Sequence, residues 1–243
     1  MRDLGGRVIL VTRAAEDAAE WVARLGALGA TALSLPCLVC EPLRDAPLAR
    51  GLRAALDGAA WLVVTSRRGV DAVAELAGRV PDGVRIAAVG PRTAARCGEA
   101  LGRAADLVAA DGTGAGLARE LRAALAAAPP RPRVVVAAAD RAEEHFERAL
   151  DPRQVELVRL AVYRTVPAPP VEPRADLAAL GVDTIFLASP SAVTGLVNRA
   201  VVPGGALLIS IGPSTTEAAR AAGLAVAAEA ARPGFEGLVE AIP

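Results

Sequence analysis

The stretch AVGPRTAARCGEALG, residues 88–102, returns later in the chain as SIGPSTTEAARAAG, residues 210–223. Each copy runs from a short apolar stretch through Gly-Pro and a threonine into an alanine-rich segment that closes on glycine. This order reads as a strand end leading directly into a helix, because proline suits the first helical position and glycine is the common closing residue. The glycine before the proline is expected to let the chain turn sharply off the strand. Thr93 and Thr215 then fall in the first helical turn, with their hydroxyls near exposed backbone N–H groups.

Working outward, the repeat takes in most of the chain. RVILVTRAAEDAAEWVARL (7–25) is similar to RVVVAAADRAEEHFERAL (133–150), and LPCLVCEP (35–42) to LAVYRTVP (160–167). WLVVTSRRGV (61–70) is similar to TIFLASPSAV (184–193), in the same order and at comparable offsets. The chain is therefore a tandem duplication. Each half carries an extended, proline-bearing segment, about 36–42 and 161–170, and these are expected to connect domains.

The runs RVILVT, WLVVT, RIAAV, RVVVAA, DTIFLA and ALLISI each precede an amphipathic, alanine-rich pattern; after the first, Trp21, Val22, Leu25 and Leu28 share one face. Continuous apolar runs alternating with helical periodicity describe buried parallel strands, so the expected class is α/β with two parallel sheets.

Composition narrows the chemistry. With 243 residues, 53% of them apolar, the chain can bury a sizeable core and suits two domains. Its 27 basic and 27 acidic residues balance, which argues against nucleic acid or an anionic membrane as the main partner. No apolar run approaches membrane-spanning length and no targeting segment is evident, so a cytoplasmic location is expected. Every basic residue is arginine, which removes Schiff-base lysine chemistry and the P-loop. The one histidine, His145, lies in the charged stretch DRAEEHFERAL and reads as a solvated helix residue. Neither a metal site nor a cofactor is expected. Cys37 and Cys40 form a lone C-x-x-C, weak as a redox or metal signal without a second pair, and Cys97 reads as helix core; all three are taken as structural thiols.

Several residues remain as candidates for binding. Ser66 and Ser189 sit where strand becomes helix and read as N-caps, with Thr65 and Ser191 beside them. Helix starts at the carboxyl ends of parallel strands favour anionic ligands, so capping alone and capping with ligand contact both stand. Arg13 and Arg67, in the corresponding loops, read either as solvated charges or as carboxylate partners. Tyr163 is the only tyrosine and lies on an expected connection, so its ring can serve packing while its phenol offers a polar handle.

The ordered set VTR, TSRRGV, AVGPRTA, VYRTVP, LASPSAV and IGPSTT resembles the uroporphyrinogen-III synthase family over essentially the whole chain. The resemblance implies an interlocked topology: residues 1–36 with 168–243 as one α/β domain, 41–162 as the other, joined by a two-strand linker, with substrate in the cleft between. It implies a cofactor-free, cyclising hydro-lyase of tetrapyrrole and heme biosynthesis. Its substrate would be the linear polycarboxylate hydroxymethylbilane, closed with loss of water and inversion of the last pyrrole ring. A monomer is expected, open to transient contact with the preceding pathway enzyme. By position, Tyr163 matches the tyrosine associated with hydroxyl departure. Arg13, Thr65, Ser66, Arg67, Thr93, Ser189, Ser191 and Thr215 become the substrate-binding set. Ala188 departs from the pattern, standing where the first copy has Thr65. A non-catalytic two-domain binding or sensor protein is the alternative; a nucleotide-using transferase lacks both G-x-G-x-x-G and a P-loop.

Overall fold

The computed structural model describes residues 3–126, 128 and 130–243, so residues 1 and 2 of the expected first domain lie outside the described residues. From the amino end run β1 (Val8–Val11), α1 (Ala15–Ala27), β2 (Thr31–Ser34), β3 (Leu38–Pro42), α2 (Ala46–Leu56), β4 (Trp61–Val64) and α3 (Arg67–Ala77). Next come β5 (Arg85–Ala88), α4 (Pro91–Leu101), β6 (Leu107–Val108), α5 (Gly114–Leu125), β7 (Arg133–Ala139), α6 (His145–Ala149) and β8 (Glu156–Pro167). The remainder forms β9 (Ala175–Asp176), β10 (Thr184–Leu187), α7 (Pro190–Arg199), β11 (Ala200–Val201) and β12 (Leu207–Ser210). It closes with α8 (Pro213–Ala221), β13 (Val226–Glu229) and α9 (Phe235–Glu240).

The chain divides into two compact units, one formed by the chain up to Cys40 together with Val166–Pro243, the other by Glu41–Thr165. In the first, five strands are ordered β13-β12-β10-β1-β2 and every pairing is parallel. Successive residues of a strand face opposite ways. Ile9, Val11, Phe186 and Ile209 accordingly pack with Trp21, Leu25, Phe235 and Leu238 on one side of the sheet. Leu10, Ile185, Leu187 and Leu208 pack with Val193, Leu196 and Ala219 on the other. With both faces covered, the inner strands are buried at every position: TIFL is buried throughout, its one polar residue, Thr184, accepting from Arg7 and donating to Asp183.

The second unit carries the order β3-β8-β7-β4-β5-β6, parallel at β4–β5, β4–β7, β5–β6 and β7–β8. Read as β6-β5-β4-β7-β8, it repeats the first sheet strand for strand, with β5 and β12 leading into the two Gly-Pro motifs. Trp61, Val63, Ala87, Val134 and Val136 pack against Leu117, Leu121 and Phe146.

The repeated motif forms as read at its closing end but not at its opening glycine. Gly102 and Gly223 close α4 and α8 at φ +66° and +75°, the left-handed region that glycine occupies without strain. Gly90 and Gly212, by contrast, have φ −171° and 167°, extended backbone open to any residue. A Cβ on Gly212 would meet nothing within 4 Å, and one on Gly90 would make only ordinary contact with Gly112 at 3.8 Å.

The helix expected across 140–150 shrinks to α6, five residues long. Arg159 on β8 donates to the carbonyls of Ala142 at 3.3 Å and Glu143 at 2.9 Å. Those oxygens would otherwise accept the first helical hydrogen bonds, so α6 starts late. Among the described residues no helix is long and apolar enough to cross a membrane.

Two glycines in helices separate packing from propensity. A Cβ on Gly195 of α7 would lie 1.8 Å from the Cys37 carbonyl oxygen, whereas Gly98 of α4 is exposed with nothing within 4 Å. Thermal unfolding should show Gly195→Ala destabilised by about 3 kcal/mol or more. Gly98→Ala should be stabilised by roughly 0.5–1 kcal/mol.

Candidate functional site

In a parallel sheet every strand delivers its carboxyl end to the same edge, and helix starts gather there. In the second unit this edge holds Thr65 and Ser66 after β4, Thr93 in the first turn of α4 after β5, and Tyr163 on β8, paired with Ala139 at the end of β7. Ser66 is the N-cap of α3: at φ −161° and ψ 160° its Oγ accepts the Gly69 N–H at 3.0 Å. The same oxygen donates to the phenol oxygen of Tyr163, also at 3.0 Å. Tyr163 is 8% exposed, so its ring is packed while its hydroxyl belongs to a polar pair. Arg67, one residue into α3, is exposed.

Thr65 lies apart from that pair. It lines a cavity of about 200 Å³ with Val89, Gly114, Val136, Glu143, His145 and Arg159. His145 does not project from a solvated helix as its sequence context implies. Its side chain is 29% exposed, its ring lies where a Cβ on Gly114 would come within 2.6 Å, and Nε2 stands 3.4 Å from Glu143. Arg159 grips Glu147 in a two-pronged pair, Nε to Oε1 at 2.5 Å and an NH2 nitrogen to Oε2 at 2.9 Å. That guanidinium holds the Glu147 carboxyl below the usual carboxylate range.

In the first unit the corresponding edge holds Arg13 after β1, Ser189 and Ser191 at the start of α7, and Thr215 at the start of α8. Ser189 caps α7, accepting the Ala192 N–H at 3.1 Å. Arg13 places its guanidinium 4.5 Å from the centre of the Trp21 ring, a cation–π contact that presents the charge beside this edge. Thr93 and Thr215 are buried, 5% and 1% exposed, and neither makes a side-chain cap bond; α4 and α8 are entered through Gly90 and Gly212. The engaged hydroxyl in the second copy is the neighbouring Thr216, 2.6 Å from Ser210 and bonded to Glu229. Sequence reading passed over Thr216 because the repeat aligns Thr215 with Thr93.

A family model described as uroporphyrinogen-III synthase HemD matches residues 19–240. The chain belongs to this family. Among solved structures, the uroporphyrinogen-III synthetase of Helicobacter pylori matches at 16% identity with a TM-score of 0.54, covering 99% of this chain and 97% of its own. A triply substituted uroporphyrinogen III synthase of Thermus thermophilus matches at 20% identity with a TM-score of 0.49, covering 97% and 96%. No curated protein matches by sequence. The family's activity is the cyclisation of hydroxymethylbilane with loss of water, and this chain is read as that enzyme, a lyase of porphyrin biosynthesis.

None of the three cysteines of this family member, Cys37, Cys40 and Cys97, forms a disulfide. Burial pushes Cys37 up to about 12, partly offset by the charge of Arg199, and pushes Cys97 up to about 11. Cys40, on β3, is partly exposed. Alkylation proceeds through the thiolate, so near neutral pH the native chain should take up one equivalent of a maleimide, at Cys40, and three once unfolded. Mass spectrometry of digested, labelled protein checks this.

Proposed function

We propose that Tyr163 assists departure of the hydroxyl from hydroxymethylbilane, and that helix starts and hydroxyls along the carboxyl edges of the sheets bind the substrate's carboxylates. The observation that carries this reading is the placement of the chain's only phenol at such an edge, largely buried and hydrogen-bonded to a helix-capping serine. A phenol there can donate its proton to the leaving oxygen as the C–O bond breaks, so that water departs rather than hydroxide. The electrophilic terminal methylene is then attacked by the substituted position of the last ring. The resulting spiro centre fragments and recloses with that ring inverted, and the proton lost as the ring system regains aromaticity can return to the phenolate. Water is the only by-product.

Binding a flexible polyanion in one shape is the protein's other task, and preorganised donors serve it. The capped starts of α3 and α7 present backbone N–H groups with the favourable end of the helix dipole. Arg13, Arg67, Thr65, Thr93, Ser191 and Thr215 are assigned to the same task by their places on these edges. Gly90 and Gly212 support the assignment. Neither backbone geometry nor neighbouring atoms require glycine there, and an absent side chain lets a ligand approach the main chain closely.

Tyr163→Phe keeps the ring and its packing but removes the proton donor. The expected single-turnover rate, with hydroxymethylbilane generated in place by the preceding enzyme, falls about a hundredfold or more with little change in thermal stability. Thr93→Ala, Thr215→Ala and Ser189→Ala each delete one hydroxyl among many donors and should slow turnover only about three- to tenfold. An unaltered rate in Tyr163→Phe would return that residue to packing alone.

Gly90→Ala and Gly212→Ala should unfold at the wild-type temperature yet bind product more weakly. Calorimetric titration with uroporphyrinogen III under reducing conditions, beside a thermal melt, reads both; unchanged affinity removes the glycines from the binding surface.

A further inference from the structure

Tyr163 reaches Ser66 because β8 carries one residue too many for its neighbour. Along most of the β7–β8 ladder the pairing is regular, with Val136 opposite Arg159 and Ala138 opposite Ala161. The next pair is Ala139 with Tyr163, so Val162 is the extra residue. In an uninterrupted strand Tyr163 would share a face with Arg159 and Ala161. That is the face from which Arg159 reaches Glu147 of α6. The bulge breaks the phase and re-aims the side chain, and the Tyr163 hydroxyl meets the first residue before α3 instead.

The other half of the contact is fixed as tightly. Gly69 brings the first turn of α3 against β7: a Cβ there would lie 3.2 Å from the Ala137 carbonyl oxygen and 3.4 Å from Ser66 Oγ. The Gly69 N–H holds the serine oxygen as a helix cap. A serine hydroxyl has one proton to give, and here it goes to the phenol oxygen.

We propose that Ser66 is a positioning residue for Tyr163, orienting the phenol and stabilising its anion, rather than a substrate contact. This rests on the reading of Tyr163 as the proton donor. With Ser66 donating to the phenol oxygen, the phenol's own proton is directed away from α3. When that proton passes to the leaving hydroxyl and the C–O bond breaks, the negative charge left on the phenol oxygen is met by the serine O–H, with the first-turn N–H groups of α3 close behind. A hydrogen bond to an ion is about twice as strong as one between neutral groups, so the contact strengthens as charge develops. An interaction stronger in the transition state than in the ground state raises kcat rather than lowering KM.

The chain's single tyrosine makes this measurable without turnover, because the near-ultraviolet tyrosinate band then reports Tyr163 alone. Ser66→Gly removes the hydroxyl while keeping a residue type that caps helices nearly as well, at a cost of a few tenths of a kcal/mol. Its tyrosinate titration should move to higher pH than wild type, since the neutral phenol loses nothing comparable to what the phenolate loses. Its single-turnover rate should fall about tenfold or more, with product affinity unchanged. Ser66→Thr, which retains both cap and donor, should restore the titration and most of the rate. A titration that does not move, a loss expressed only in product affinity, or a Ser66→Thr that behaves like Ser66→Gly overturns the proposal. The two readings fail separately: wild-type turnover in Tyr163→Phe removes Tyr163 as the acid whatever the titration shows. A titration indifferent to Ser66 removes the pairing even where Tyr163→Phe is inactive.

Discussion

A parallel strand cannot be joined to its neighbour by a tight turn; the chain has to cross over the sheet and begin again at the same edge. Nearly everything in this protein follows from that constraint. Most strand ends lead into helix starts, helices cover the faces, and the inner strands β4 and β10 are buried at every position. The carboxyl edges become the place where backbone N–H groups, capping serines and strand-end residues collect. The arrangement recurs in both units, and with β3 set aside the strand order of the second sheet matches that of the first.

The economy of polar chemistry at these edges suits a reaction that asks for shape more than for a strong nucleophile. The residues present are hydroxyls, arginines and one phenol, in a chain without lysine and with a single histidine. The two opening glycines, unforced by the fold, and the two closing glycines, required by left-handed backbone, show how one residue type serves different ends within the same fourteen-odd residues. The bulge on β8 is a local cost of the same kind: it gives up ladder regularity at Ala138–Ala139 and brings a phenol to a helix cap.

Six strands were readable because burial on both faces writes itself as a continuous apolar run, and the helices because α3 and α4 keep one apolar face. Elements with weaker signatures were not separable. The two-residue β6, β9 and β11 are too short for any period, and β13 alternates only partly exposed residues. The short α6 was misread since its truncation depends on a guanidinium from a distant strand taking the carbonyls of residues 142 and 143. His145 went with it, packed over Gly114 by an approach that no local pattern records.

By itself the sequence determined the alternation of strand and helix, the recurrence of the Gly-Pro-threonine motif, the likeness to a family, and the capping roles of Ser66 and Ser189. All of these rest on periodicity, order or interactions within a few residues. Only the tertiary structure decided that Ser66 meets Tyr163, nearly a hundred positions away, that Thr65 turns toward His145 and Arg159 instead, and that Thr216 rather than Thr215 holds the hydroxyl network. These depend on which strands become neighbours and on a one-residue change of register, and register is set by the packing of whole faces, which no short window of sequence contains.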